Sequence, residues 1–292
     1  MFDVIGFGAL NVDRIFLVDK IPKKDQGCHV KKEEMMAGGS AANTVYDLSI
    51  MGFSTGYIGK IGNDEEGKFF LKNFGDVDKN GIKIVEGRTG TAYVLVTPEG
   101  DRAIIVNPGV NDFIDIKDID LNYMKCRYLH LTSFACSKSF LSFETQKKIV
   151  KKVKCKITFD PGDMYSHMGL DALEEIIERS YAVFPTKEEI ETMTGMSYRR
   201  AAEKLLNMGC KIVVVTMGKE GCYLRSEREE FKIKAKNVAV KDTTGAGDAF
   251  NAGFLSGLLK DKSLKECCEM GNYVASLVIQ KYGARVQNIS MI

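Results

Sequence analysis

Apolar positions follow two rhythms along this chain, and their alternation predicts its architecture. Residues 2–10 form a nearly unbroken apolar run ending in Gly6-Phe7-Gly8, the pattern of a buried strand. From about residue 120 onward, strand-like runs CRYLHL, CKITFD, YAVFP and CKIVVVTMG alternate with helical patterns. These are a Ser137-capped helix, one near 170–178 and two more through 207. Strand–helix alternation of this kind predicts an α/β fold: a doubly wound, mostly parallel central sheet flanked by helices. Two stretches break the rhythm. Residues 14–36 hold two short β-patterned runs around a turn with Pro22 and Gly27, and residues 82–106 hold three more, with a tight turn at 98–100. Both are predicted to build a small β-sheet lid on a single domain spanning 1–292. Between them, AGGSAANTVYDLSIMG enters a helix with Ser40 as its cap and Val45, Leu48 and Met51 facing the core. Further helices are expected from about 63 to 74 and from about 263 to 281. A strand is expected at NVAVKD, residues 237–242.

Composition narrows the partners more than the chemistry. Of the 292 residues, 41 are basic and 39 acidic, and the resulting net charge of +2 gives no electrostatic ground for nucleic-acid binding. The basic run KKIVKKVKCK sets Ile149, Val150 and Val153 on one helix face, with its lysines outside. No apolar run approaches the ~20 residues that span a bilayer, so no membrane partner is expected. Eight cysteines occur without a C-x-x-C pair and with only three histidines, which predicts free thiols in a reducing, cytoplasmic setting rather than structural zinc. The first residues carry acids and no basic flank, so no leader is expected there.

The densest chemistry lies at DTTGAGDAFNAG, residues 242–253. The backbone amides of Gly245, Ala246 and Gly247, at the positive end of the following helix, form a cradle for an anion such as a phosphate. Asp248, in the first turn, is then either a helix-dipole partner or a base beside the bound phosphate. Upstream, Asn11 and Asp13 emerge after the first strand, where open α/β sheets bind ligands, and Gly38, Gly39 and Asn43 open the next helix. Two other nucleotide motifs fail. Asn11 replaces the third glycine of a dinucleotide fingerprint beginning at Gly6, and Gly59-Lys60 lacks both the upstream glycine and the Ser or Thr of a P-loop. A nucleotide-binding oxidoreductase is therefore disfavoured. A non-catalytic ligand sensor is disfavoured as well, because a sensor has no need of Asp248.

Taken in order, N-x-D (Asn11, Asp13), AGGSAAN (residues 37–43), TMGKEG (216–221) and DTTGAGD (242–248) resemble the ribokinase-like (PfkB) family of sugar and nucleoside kinases over nearly the whole chain. Within it the sequence looks most similar to the archaeal-type nucleoside kinases. The resemblance implies ATP as phosphate donor with Mg2+, Asp248 as catalytic base, and the amides of Gly245, Ala246 and Gly247 as an anion hole. It further implies an acceptor held by Asp13, Gly38, Gly39 and Asn43, with Asn107 and Asn111 nearby. Thr216, Gly218, Gly221, Asn272 and Gly283 would line the nucleotide site. The family's N-x-x-E motif falls on 186–189, with Thr186 in the Asn position, leaving Glu189 for water-mediated magnesium binding and Lys187 as a substitute charge near phosphate. Asp242 and Thr244 would belong to a monovalent-cation (K+) site, and the lid sheet would mediate a homodimer. The acceptor implied is the 5′-hydroxyl of a nucleoside, with a sugar or sugar phosphate as the alternative and Arg102 as a candidate cation for the latter. Phe134, Met164, Tyr165, Met168 and Phe113 are the side chains from which a slot for a base could be built.

Overall fold

The computed structural model describes residues 1–99 and 101–286. Its larger sheet has nine strands in the order β13-β12-β11-β10-β9-β8-β1-β4-β5. They are β1 (Phe2–Phe7), β4 (Thr55–Gly62), β5 (Ile82–Val85), β8 (Cys126–Thr132), β9 (Lys156–Asp160), β10 (Ser180–Val183), β11 (Ile212–Thr216), β12 (Cys222–Ser226) and β13 (Glu230–Ile233). Neighbours from β11 to β5 are parallel, and β12 and β13 close the other edge antiparallel. The chain moves outward from β1 in both directions, to β4 and β5 on one side and to β8 through β11 on the other. That switch point leaves a crevice at the carboxyl ends of β1 and β8, where ligands of open α/β sheets bind.

Alternating residues divide the core into two layers. Val4, Val214 and Leu224 pack with α1 (Ser40–Ile50), α2 (Glu65–Lys72), α8 (Ala246–Leu259) and α9 (Leu264–Val278). Ile5, Val213, Val215 and Tyr223 pack on the other face with α3 (Leu141–Lys152), α4 (Gly162–Ser166), α5 (Leu170–Arg179), α6 (Lys187–Thr194) and α7 (Tyr198–Asn207). Three helices, α2, α6 and α9, open on side-chain caps. Asp64 accepts from Gly67 N ahead of α2, and capping boxes formed by Thr186 with Glu189 and by Ser263 with Glu266 open α6 and α9.

The second sheet is the lid, in the order β3-β2-β6-β7, built from β2 (Asn11–Val18), β3 (Val30–Gly38), β6 (Gly90–Val96) and β7 (Arg102–Asn107). Several expectations are corrected. The lid begins at Asn11 rather than 14, and Ile82–Val85 belongs to the main sheet, paired with β4. Residues 237–242 form no strand, and Lys241 N and Asp242 N instead both donate to Ile279 O at the end of α9. Ser137 caps nothing: α3 starts at Leu141, with Ser139 Oγ accepting from Leu141 N. Ser40 is the first residue of α1, not its cap, a place taken by Gly39.

Candidate active site

The cleft between lid and main sheet is assembled by close backbone approaches. After β1 the chain needs only three residues to enter the lid, and Asn111 clamps that crossing. Its Oδ1 accepts from Leu10 N (2.9 Å), while its Nδ2 donates to Leu10 O (2.9 Å) and Asn11 Oδ1 (3.0 Å). Asn111 and Asn11 thereby tie the start of the lid to the segment after β7. Asp13, two residues on, faces the cleft. A Cβ on Gly38 would overlap the Asp13 carboxylate, and Gly39, at φ 103°, presses against Ala9 O. The Gly-Gly turn therefore makes room for the protein's own carboxylate and backbone. Asn107, at the end of β7, accepts from Lys138 Nζ (2.8 Å) and Gly109 N (3.2 Å).

Across the cleft, Gly245 caps α8 in the left-handed region (φ 74°), and a Cβ there would strike Ala284. The first intrahelical bond of α8 runs from Ala249 N to Gly245 O (2.9 Å), so the preceding amides lie at the positive end of a 14-residue helix. Among these, the Ala246 amide turns back to Thr243 O (3.2 Å), and so does not point at an anion as expected. Asp248, in the first turn, meets α1 directly: Asn43 Nδ2 donates to its Oδ2 (2.9 Å), and Thr44 Oγ1 donates to its backbone oxygen (3.2 Å). Burial pushes the Asp248 carboxyl up to about 6; hydrogen bonds from Asn43 and Ser40 and the charge of Arg285 hold it down, and Glu189 opposes them. Burial likewise pushes Asp13 up to about 7, with Arg285 lowering and Asp248 raising it.

The structure adds three participants. Asp160, at the carboxyl end of β9, accepts from Asn251 Nδ2 (2.7 Å) and Gly162 N (3.0 Å); burial, then Glu189 and Asp248, push its carboxyl well up. Asn251 lies on α8 three residues beyond Asp248, and its Oδ1 is buried without a hydrogen-bond partner among the described residues. Arg285, beyond α9, donates from Nε to Asn43 Oδ1 (2.9 Å). An acid closing a parallel strand before Pro-Gly, as in TFDPG, is a readable signal for Asp160. Nothing local in GARV marks Arg285.

Among the residues expected to line a nucleotide, Thr216 N donates to Pro185 O (3.0 Å), so the turn after β11 lies beside the start of α6. That turn holds Gly218 and Gly221, with Met217 N donating to Gly221 O (2.8 Å). Thr186 Oγ1 accepts from Glu189 N (3.1 Å) and Glu189 Oε2 accepts from Thr186 N (2.7 Å), so the departure at 186 makes a helix cap. Lys187 reaches over the Tyr198 ring (5.8 Å). Asn272 is taken up by backbone, donating to Lys234 O (3.2 Å). Asp242 accepts from Thr244 N (2.9 Å), Thr244 Oγ1 (2.7 Å) and Gly283 N (3.0 Å), and Arg102 reaches Thr244 Oγ1 from the lid (2.9 Å).

Magnesium fits this acidic corner. Glu189 raises the carboxyls of Asp160 and Asp248, and Asn251, whose Oδ1 is without a partner among the described residues, bonds Asp160 through Nδ2, so a dication would offset this repulsion. No group of three or more acidic, His or Cys ligands among the described residues could hold an ion by itself. The ion would be held through water and nucleotide phosphate oxygens.

Asp47 gives a stability test. Burial pushes its carboxyl up to about 8, although Val286 N donates to it (2.9 Å). The folded protein holds this proton to higher pH than the unfolded chain does, so between about pH 4 and pH 8 the group destabilises increasingly as pH rises. Asp47→Asn should raise Tm by a few degrees at pH 8.5 and barely move it near pH 4, as read by thermal melts. A gain equal at both pH values contradicts this.

A strand-switch crevice facing a helix N-terminus suits a kinase of small molecules, and relatives of this chain are kinases. The chain belongs to the pfkB family of carbohydrate kinases, whose model matches residues 1–290. An uncharacterized sugar kinase of Archaeoglobus fulgidus is 44% identical over 244 residues, covering 82% of this chain and 96% of that protein. The crystal structure of ribokinase from Thermotoga maritima superposes with a TM-score of 0.87 at 27% identity, covering 97% of this chain and 95% of that one. Arabidopsis thaliana ribokinase, solved with ribose and ATP, gives a TM-score of 0.82 at 25% identity, with 97% and 94% covered.

Proposed function

We propose that this kinase transfers the γ-phosphoryl group of ATP, with Mg2+, to the 5′-hydroxyl of a nucleoside. The observation that carries the reading is the Asn43–Asp248 contact, which joins the acceptor-side helix to the anion cradle at one carboxylate. Phosphoryl transfer asks the protein mainly for positioning and charge stabilisation. Asp13 and Asn43 hold the ribosyl hydroxyls, Asp248 accepts the proton of the attacking hydroxyl, and the amides of Gly245 and Gly247 receive the phosphoryl oxygens. When bound, magnesium neutralises phosphate charge beside Glu189 and Asp160. A K+ site beside Asp242 and Thr244 belongs to the same reading.

For the base, Phe113 and Met164 are exposed and flank the 133–138 loop. Asp112 ties that loop on one side through Cys136 N (3.1 Å) and Lys138 N (2.9 Å), and Gly162 abuts Ser133 on the other. A free ribose-like sugar is the second reading. It is favoured by Phe134 and Tyr165, which are closed into the core and give a base no surface. ADP release from ATP and Mg2+ across nucleosides, free sugars and sugar phosphates, in K+ and in Na+, tests both readings. Turnover with nucleosides above sugars is expected, with the higher rate in K+. Turnover with sugars alone would replace the acceptor, and background ADP throughout would end the kinase mechanism proposed here.

The reading also pairs two copies through the lid. β7 exposes Ile104 (50%) and Ile105 (62%) on opposite faces at the sheet edge. Ile105→Glu should shift the mass in light scattering from dimer to monomer, and a monomeric wild-type protein would contradict the pairing. All eight cysteines are free thiols, which supports a cytoplasmic setting. Among the described residues, no helix is long and apolar enough to cross a membrane.

A further inference from the structure

We propose that Arg285 is a positioning residue for phosphoryl transfer, setting the orientation of the Asn43 amide and, through it, the placement of Asp248. The inference rests on the reading of Asp248 as the base. An Asn side chain has nearly the same shape when turned by 180°, so only its partners choose which end donates. Here Oδ1 accepts from Arg285 Nε (2.9 Å) and Nδ2 donates to Asp248 Oδ2 (2.9 Å). The turned amide would set its NH2 against a guanidinium, which has no acceptor, and its oxygen against a carboxylate. Both ends would be repelled.

Arg285 has a particular use because the other partner changes during the reaction. Once Asp248 has taken a proton it can donate as well as accept, and by itself it no longer dictates which end of Asn43 faces it. A guanidinium offers only donors throughout. It keeps Oδ1 on its own side and returns Nδ2 to the base for the next turnover.

The guanidinium is built into place for this. Its Nη1 donates to Asn73 O (3.0 Å), and its central carbon lies 4.7 Å from the Tyr46 ring centroid, 5.5 Å from Phe74 and 5.7 Å from Phe70. The flanking backbone is pinned on both sides, Gly283 N to Asp242 Oδ2 (3.0 Å) and Val286 N to Asp47 Oδ1 (2.9 Å). The segment that carries Arg285 also presses Ala284 against Gly245, the cap of the anion-cradle helix. One stretch of chain thus touches both halves of the cleft. Lysine cannot reproduce the contact, since a single ammonium cannot bond Asn43 and Asn73 from two fixed nitrogens in a plane.

The test is a double-mutant cycle. Arg285→Met and Arg285→Lys are made in the wild type and in Asp248→Asn, folding is checked by thermal melts, and acceptor-dependent ADP formation is measured. In the wild-type background Arg285→Met should lower kcat by roughly 30- to 100-fold, the scale of a small misplacement of a reacting group, with acceptor KM rising much less. In Asp248→Asn the same change should cost less than about threefold, because the positioned group is already gone. Arg285→Lys should recover only a minor part of the rate. Equal losses in both backgrounds, or full recovery with lysine, would overturn the proposal. If Arg285→Met does not fold, the cycle with Arg285→Lys decides by the same criterion. Wild-type turnover by Asp248→Asn alone would remove the base assignment and this proposal with it, and shows before Arg285 is touched.

Discussion

Asp248→Asn is expected to lower kcat by about 10³-fold, within the ~10²–10⁴-fold range of general-base catalysis, while leaving ATP and acceptor affinities nearly unchanged. Asparagine keeps the size of the side chain and an oxygen to accept from Asn43 Nδ2, so the first turn of α8 and the amides ahead of it retain their geometry. What disappears is the capacity to take a proton. An acceptor hydroxyl is a poor nucleophile until its proton is leaving, and the structure brings Asp248 into hydrogen-bond contact with Asn43, on the acceptor side. Steady-state kinetics with titrations of ATP and acceptor separate the outcomes. A large rise in KM with unchanged kcat would make Asp248 a binding group.

Asp13→Ala should act on the other constant, raising acceptor KM by about 10²-fold, with kcat at saturation less affected. Hydrogen bonds to a charged group are worth about 1.5–3 kcal/mol each, so loss of one or two on ribosyl hydroxyls reaches this size. The ionised form is the better acceptor of hydroxyl hydrogen bonds. With its carboxyl pushed up to about 7, acceptor affinity in the wild type should weaken as pH falls below 7, and this dependence should vanish in Asp13→Ala. Burial of Asp13 is itself destabilising, since a raised carboxyl pKa costs folding free energy once the group ionises. The variant should therefore melt higher than wild type at pH 8, a gain in stability with a loss of function. Unchanged acceptor KM would place the hydroxyls elsewhere.

The parallel sheet was legible because its strands are buried on both faces and read as continuous apolar runs separated by helical periodicity, as in CKIVVVTMG. The two halves of the cleft were legible because Gly-Gly and GAGD leave few structural alternatives. Failures arose where tertiary contacts override local pattern. VAV at 238–240 has the composition of a strand, yet its neighbours Lys241 and Asp242 bond to the end of α9 instead of a sheet partner. Residues 82–85 have lid-like alternation but are captured by the edge of β4. Ser137 and Ser40 look like caps, whereas α3 begins three residues later and α1 one residue earlier than such caps would require; Ser40 instead serves Asp248. The bond of Asn111 to Asn11 across the entrance to the lid joins residues 100 positions apart and has no local signal. Arg285 lay beyond reach, because its role depends on a contact with Asn43 across 242 positions of sequence.

If Asp248 is the base, its proton is read from the pH dependence of kcat. A base works only when deprotonated, and burial sets the Asp248 carboxyl at about 6. The wild-type kcat should therefore rise with pH through an acidic limb to a plateau, and the Asp248→Asn variant should show its residual rate without that limb. An acidic limb that survives unchanged in Asp248→Asn would assign the proton transfer to another group and contradict the account.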